Sequence, residues 1–271
     1  ARTAAQASLR ASSFFAAAML HADATGDPDL FGQLYEVHRT SWDAFVSRST
    51  SPRIEPIEIP YEGTTLDGWF FHAGDDDAPR RTFVFNNGSD GAVTSAWVQG
   101  IAEAVARGWN AVTFDGPGQS STLVRKHLGF RADWEHVITP VVDQLVARPD
   151  VDASRLALLG VSQGGYWVPR SLAFEHRFAA AVADPGVVDV STTLMSHLSH
   201  GMHKLLDEGD QAKFDRDMAT GERFSKKLRA TTALRFRPYQ QDSAFDVYRT
   251  AQAMALTDEL IGQITTPLLI T

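Results

Sequence analysis

The chain of 271 residues contains no cysteine, which excludes disulfides, a cysteine nucleophile and thiolate metal sites and leaves the redox compartment open. It also lacks an excess of positive charge: the formal charge is −8 at pH 7. Such a surface does not gather phosphates, so nucleic acid is not an expected partner and a small molecule is. Lysine is scarce, at 5 residues against 20 arginines. No apolar run reaches the ~18 residues that a membrane span requires. The segment closest to a leader, ASSFFAAAML (11–20) behind Arg2 and Arg10, has the basic-then-apolar layout of a signal peptide. It reads better as an amphipathic helix with Leu9, Phe14, Phe15, Ala18 and Leu20 on one face, stopped by DATGDPD. A cytoplasmic location is the resulting expectation.

What is present is enough apolar residue, 44%, to bury a substantial core. Residues 1–50 predict two or three helices, the second with a stripe of Leu30, Leu34, Val37, Trp42 and Phe45. From residue 51 the period changes to two, and Ile54, Ile57 and Ile59 followed by Leu66, Trp69 and Phe71 predict a hairpin. Strand and helix then alternate: strands at 82–87, 109–115, 155–160 and 178–186, with helices at about 93–107 and 131–147 and another after Ser162. This alternation predicts an α/β fold, a mostly parallel sheet with helices on both faces and its site in the loops after the strands. Residues 187–262 are helical, charged and methionine-bearing, and predict an inserted cap. Apolar strand text resumes in TTPLLIT (265–271), and 263–271 is assigned to the core as its strand seven. No internal repeat or low-complexity tract interrupts this order.

The stretch GVSQGG (160–165) lies where a strand ends and a helix begins. A nucleophile elbow holds its serine in a strained turn whose neighbours two residues away must be small, and Gly160, Gly164 and Gly165 supply that room for Ser162. A bare Gly-x-Ser-x-Gly arises by chance with a probability on the order of 0.1 in such a chain, so the strand and helix around it carry the weight. Acyl transfer also needs two N–H groups aimed at the developing oxyanion. Gln163 offers the first, and the loop FNNGSDG after the third strand offers the second through Gly88 or Ser89. Asn86, Asn87 and Asp90 of that loop serve equally well as caps of the next helix. Asp115, in FDGPGQSST, is read as a loop-stabilising residue, since aspartate before glycine is ordinary turn chemistry.

NNGSDG, FDGPGQS, RPDVDASRLALLGVSQGGYWVPR and ADPGVVD, behind a helical preamble containing ASSFFAAAMLHAD, together resemble the α/β-hydrolase superfamily. The resemblance is to its branch of 2,6-dihydroxypseudooxynicotine hydrolase, polyketide-shortening hydrolases and dipeptidyl-aminopeptidase-like esterases. It implies an eight-stranded sheet, an inserted cap, no metal or other cofactor, and a Ser-Asp-His triad. Some relatives carry an assisting glutamate just after the DGPGQ loop, where this chain has Ser120 and Ser121. TTPLLIT resembles strand seven, which puts the acid and the histidine after Thr271 in the order serine, acid, histidine. The chain is therefore expected to be a fragment, with the remainder of the core beyond it.

Within the chain, Asp184 after strand six is the alternative acid. The cap histidines His197, His200 and His203 would have to reverse the usual chain order to act as base. Their spacing is better read as a solvated or pocket-lining helix than as a metal site. Tyr166, Trp167 and His197 are the candidate substrate-pocket residues. The expected activity is a serine hydrolase that cleaves an ester, an amide, or a carbon-carbon bond beside a ketone in a bulky apolar or aromatic small molecule. A homodimer is the oligomer considered. The alternative is a noncatalytic binding protein on the same fold.

Overall fold

The computed structural model describes residues 2–271. Three helices open the chain: α1 (Arg2–Met19), α2 (Ala22–Thr25) and α3 (Leu30–Arg48). The strands are β1 (Arg53–Tyr61), β2 (Thr64–His72), β3 (Arg80–Asn86), β4 (Asn110–Phe114), β5 (Val151–Val161), β6 (Phe178–Asp184) and β7 (Leu268–Ile270). They form one sheet in the order β1-β2-β4-β3-β5-β6-β7. β1 and β2 pair antiparallel, as do β2 and β4, and every other pair is parallel.

Between the strands run α4 (Val93–Ala96), continued by a π turn at Trp97–Ile101 into α5 (Ala102–Ala106), then α6 (Ser120–Lys126), α7 (Glu135–Val146) and α8 (Gly164–Leu172). The sheet is covered on both faces. Ile57, Ile59, Leu66 and Phe70 pack with α7 and α8 on one side. Ile54, Trp69 and Phe71 pack with α1, α3 and α4 on the other. The odd spacing between Ile54 and Ile57 is what sends them to opposite faces, since strand side chains alternate.

The stretch from β6 to β7 holds α9 (Ser191–Met195), α10 (His200–Glu208), α11 (Gln211–Phe224), α12 (Lys226–Phe236), a 3-10 turn at Arg237–Tyr239, α13 (Ala244–Ala253) and α14 (Asp258–Gly262). These helices bury a small core of their own around Leu205, Leu206, Phe214, Met218 and Tyr248. The two ends of the stretch are joined, Val190 N–H donating to the Met254 carbonyl (3.0 Å) and Leu256 N–H to that of Val188 (2.8 Å).

Two stripes differ from those expected. In α1 the buried face is Ala5, Leu9, Ser12 and Met19, while Phe14 is 75% exposed and Leu20 also faces out. In α3, Val37 is exposed and the inward residues are Tyr35, His38, Trp42, Phe45 and Val46. The cause is a polar pair at the helix contact, which a reading of apolar positions passes over. Ser12 Oγ donates to the His38 carbonyl (2.9 Å) and His38 Nδ1 to the Ser12 carbonyl (2.9 Å). Burial holds the His38 imidazole below its ordinary pKa, in the neutral form this pairing uses. Replacing Ser12→Ala removes one buried hydrogen bond, and the urea midpoint should shift by the equivalent of about 1 kcal/mol. An unchanged midpoint would show that the Ser12 hydroxyl contributes nothing to docking α1.

Candidate active site

Ser162 sits between β5 and α8 with φ 56°, a left-handed conformation that costs a non-glycine residue free energy. Two backbone hydrogen bonds hold it there. Its N–H donates to the Asp184 carbonyl on the neighbouring strand (2.7 Å), and its own carbonyl accepts from Gly165 N–H (2.8 Å). The surrounding backbone leaves no room for larger neighbours: a Cβ on Gly160 would lie 2.2 Å from the Gly164 carbonyl oxygen, and one on Gly165 would lie 1.7 Å from that of Pro185. The turn therefore presents Ser162 outward, exposed at the floor of a cleft of about 970 Å³.

The loop after β3 lies directly against the serine. A Cβ on Gly88 would come within 2.8 Å of Ser162 Cβ and 3.3 Å of its Oγ. Ser89, Asp90, Ser162, Gln163 and Asp184 all line the cleft. Among the described residues, no acceptor takes the backbone amides of Ser89 or Gln163. Gln163 lies at the N-terminus of α8, where the helix leaves N–H groups free for an anion. The loop's polar side chains do not cap α4, whose N-cap is Ala92 with no side-chain bond. They brace the loop instead: Asn86 Oδ1 accepts from Trp134 Nε1 (2.8 Å), and Asn87 Nδ2 donates to the Ala92 carbonyl (3.0 Å).

The cleft's far wall is apolar and comes from Phe130, Leu194 and Tyr239, with Val187 and Val190. Burial pushes the Tyr239 hydroxyl up, so it stays a neutral phenol. Arg235, from the cap, ion-pairs with Asp90 (2.6 Å). Arg237 pairs with Asp23 and lies 4.0 Å over the Phe31 ring, so the cap is fastened to the N-terminal helices as well.

Three expected pocket residues lie elsewhere. Tyr166 and Trp167 are fully buried beneath the elbow. Trp167 stacks on Trp134 at 4.0 Å, and the Tyr166 hydroxyl donates to the Ala132 carbonyl (2.9 Å). The physical reason is that α8 is buried on almost every side, so its first turn faces the core rather than the cleft. His197 is exposed on the cap, outside the cleft lining. Among the described residues no histidine lines the cleft, His200 and His203 included. No cluster of three or more His, Cys, Asp or Glu side chains with metal-site geometry occurs among them either.

Asp184 does line the cleft, and its Oδ1 accepts from the Thr271 hydroxyl (2.8 Å). Ser121 is buried, whereas Ser120 lines a separate small cavity between α1 and the cap. Neither replaces an assisting glutamate in the cleft. Two residues with evident roles went unassigned in the sequence. Gln119 spans the loops after β3 and β4, its Nε2 donating to the carbonyls of Asn87 (2.9 Å) and Gly88 (2.8 Å). Arg235 carried no local motif, and its link to Asp90 is 145 residues long.

The profile of the prolyl oligopeptidase family matches residues 136–234. The chain is 30% identical over 242 residues to the hydrolase LUC6 of a Fusarium species, covering 80% of this chain and 54% of that protein. It is 31% identical over 209 residues to the hydrolase acrC of Aspergillus aculeatus, covering 70% of this chain and 48% of that one. Among solved structures, 2,6-dihydroxy-pseudo-oxynicotine hydrolase superposes with a TM-score of 0.72 at 18% identity, over 97% of this chain and 66% of that chain. The sheet order, the serine turn and these matches define an α/β-hydrolase fold, and the chain is similar to hydrolases of that superfamily. It spans about half the length of the curated relatives it matches.

Two expectations follow. Trp167→Ala should destabilise the fold by about 3–5 kcal/mol through the cavity it leaves. A melt within 1 kcal/mol of wild type by chemical denaturation would contradict its assignment to the core. Asp115 is buried, its Oδ2 accepts from Ser121 N–H (3.1 Å), and desolvation raises its pKa from 3.8 to about 6. The folded state therefore binds this proton more tightly than the unfolded chain does, so stability falls as pH rises from about 4 to about 6. Above that range the loss is constant, on the order of 3 kcal/mol. Asp115→Asn should remove this decline, and parallel pH profiles of the melting temperature for the two proteins would refute it.

Proposed function

We propose that the protein is a serine hydrolase in which Ser162 attacks a carbonyl and forms an acyl-enzyme. The observation that carries this is the exposed Ser162, held left-handed at the floor of the cleft with Gly88 pressed against it. A histidine takes the Oγ proton as Oγ adds to the carbonyl carbon, and the oxygen that gains the electron pair is received by the N–H groups of Gln163 and of Ser89 or Gly88. Collapse expels the leaving group, which takes the proton back from the imidazolium. Water repeats the sequence and frees Ser162. The histidine and its orienting acid are proposed to come from sequence following Thr271, with Asp184 as the alternative acid.

The apolar wall of Phe130, Leu194 and Tyr239 supports a bulky, aromatic-bearing small molecule as substrate, since stacked and edge-on ring contacts select such groups. Ester or amide cleavage and cleavage of a carbon-carbon bond beside a ketone use the same polar machinery. Products from an aryl ester and an aryl ketone separate them. The relatives named as hydrolases support the class.

The test is a fluorophosphonate probe on the full-length protein. Wild type should label, and Ser162→Ala should not. A well-folded wild type that fails to label favours a binding protein on the same fold.

A further inference from the structure

Gln119 is 1% exposed, and its whole side-chain amide is engaged between two loops. Both Nε2 hydrogens are used, one on the Asn87 carbonyl (2.9 Å) and one on the Gly88 carbonyl (2.8 Å). Its Oε1 accepts from Gly116 N–H at the start of its own loop (2.8 Å). A second bond tightens that loop, Gln119 N–H donating to the Gly116 carbonyl (2.9 Å). The loop is seated further by the Trp134 ring, which a Cβ on Gly116 would meet at 2.6 Å. A buried amide is costly unless its partners are all in place, so Gln119 specifies one orientation of the loop it holds.

In a trans peptide the C=O and N–H point in opposite directions. Two successive carbonyls drawn toward Gln119 therefore turn the next two N–H groups, those of Gly88 and Ser89, to the opposite side of the chain. Successive amides presented on one side form a concavity suited to an anion. The side in question borders Ser162, because Gly88 packs against its Cβ and Ser89 shares its cleft.

We infer that Gln119 is the positioning residue of the oxyanion loop: by holding the Asn87 and Gly88 carbonyls it fixes which amides face the charge that develops during attack by Ser162. The inference rests on the serine-hydrolase proposal and assigns within that site a residue that never touches substrate. Its effect is confined to the anionic state of the reaction, so ground-state binding does not depend on it.

The test uses the full-length protein, first shown to label with the fluorophosphonate at Ser162. A wild type that does not label overturns the hydrolase proposal, and this inference with it. Given a labelling wild type, Gln119→Met keeps the side-chain length and removes the three hydrogen bonds of the side-chain amide. With an aryl ester, kcat should fall by about 10²–10³-fold while KM stays within about threefold. An aryl boronic acid, whose serine adduct carries the negative charge, should lose affinity by a similar factor. The neutral alcohol product should bind as before.

Gln119→Glu, nearly identical in shape and still able to accept from Gly116, provides the same measurement in a second background. A folded variant with kcat and boronate affinity within threefold of wild type overturns the inference. An equal loss of boronate and product binding also overturns it, since it signals general loosening rather than loss of anion placement.

Discussion

The hydrogen bond from Ser162 N–H to the Asp184 carbonyl, 2.7 Å long, is the constraint on which the site depends. It runs between two parallel strands at the point where one of them has just left the sheet. By anchoring the amide there it allows the residue to turn left-handed and the helix to begin two residues later. A φ of 56° is unfavourable for serine, and the cost is met by the packing of Gly160 and Gly165 against backbone carbonyls. Those glycines cannot be exchanged without moving the strand or the helix. The serine's outward direction thus follows from backbone sterics and not from any contact of its own side chain.

Around this fixed point the polar chemistry is supplied by loops at the same end of the sheet. The loop after β3 brings Gly88 and Ser89, and the loop after β4 brings Gln119 to hold it. The end of β6 brings Asp184, and the cap brings Arg235 to Asp90. Each contribution is separated from the others by tens of residues, and the parallel sheet is what gathers them at one edge. The indole pair Trp134 and Trp167 lies beneath them, joined to the loop after β3 through Asn86. A rigid floor of this kind suits chemistry that needs dipoles already aligned before charge appears.

The sheet, the hairpin and the elbow were legible in the sequence because each leaves a local imprint: alternation in strands, small residues flanking a strained serine, and helical runs between them. What stayed hidden was non-local. Tyr166 and Trp167 come soon after the serine turn and invite a place in the pocket, but nearly every residue of α8 is buried, so being apolar does not mark which of them meets the cleft. Phe14 looked like core because it is aromatic, while the true contact between α1 and α3 is the polar pair of Ser12 and His38. Gln119 sits in a motif that the resemblance singled out, yet its partners lie about thirty positions earlier. Nothing in its immediate neighbours says that an amide there reaches a carbonyl across the sheet edge.

The scarcity of lysine acquires a spatial meaning once the fold is known. Lys126, outside the cap, has its ammonium occupied by Thr65 and Asp67. Lys204, Lys213, Lys226 and Lys227 are exposed, and all four belong to the cap helices α10, α11 and α12. Among residues 1–271, reagents that acylate side-chain amines, or dyes carried on them, will therefore mark the cap helices foremost. Those four amines give a handle for following that one layer.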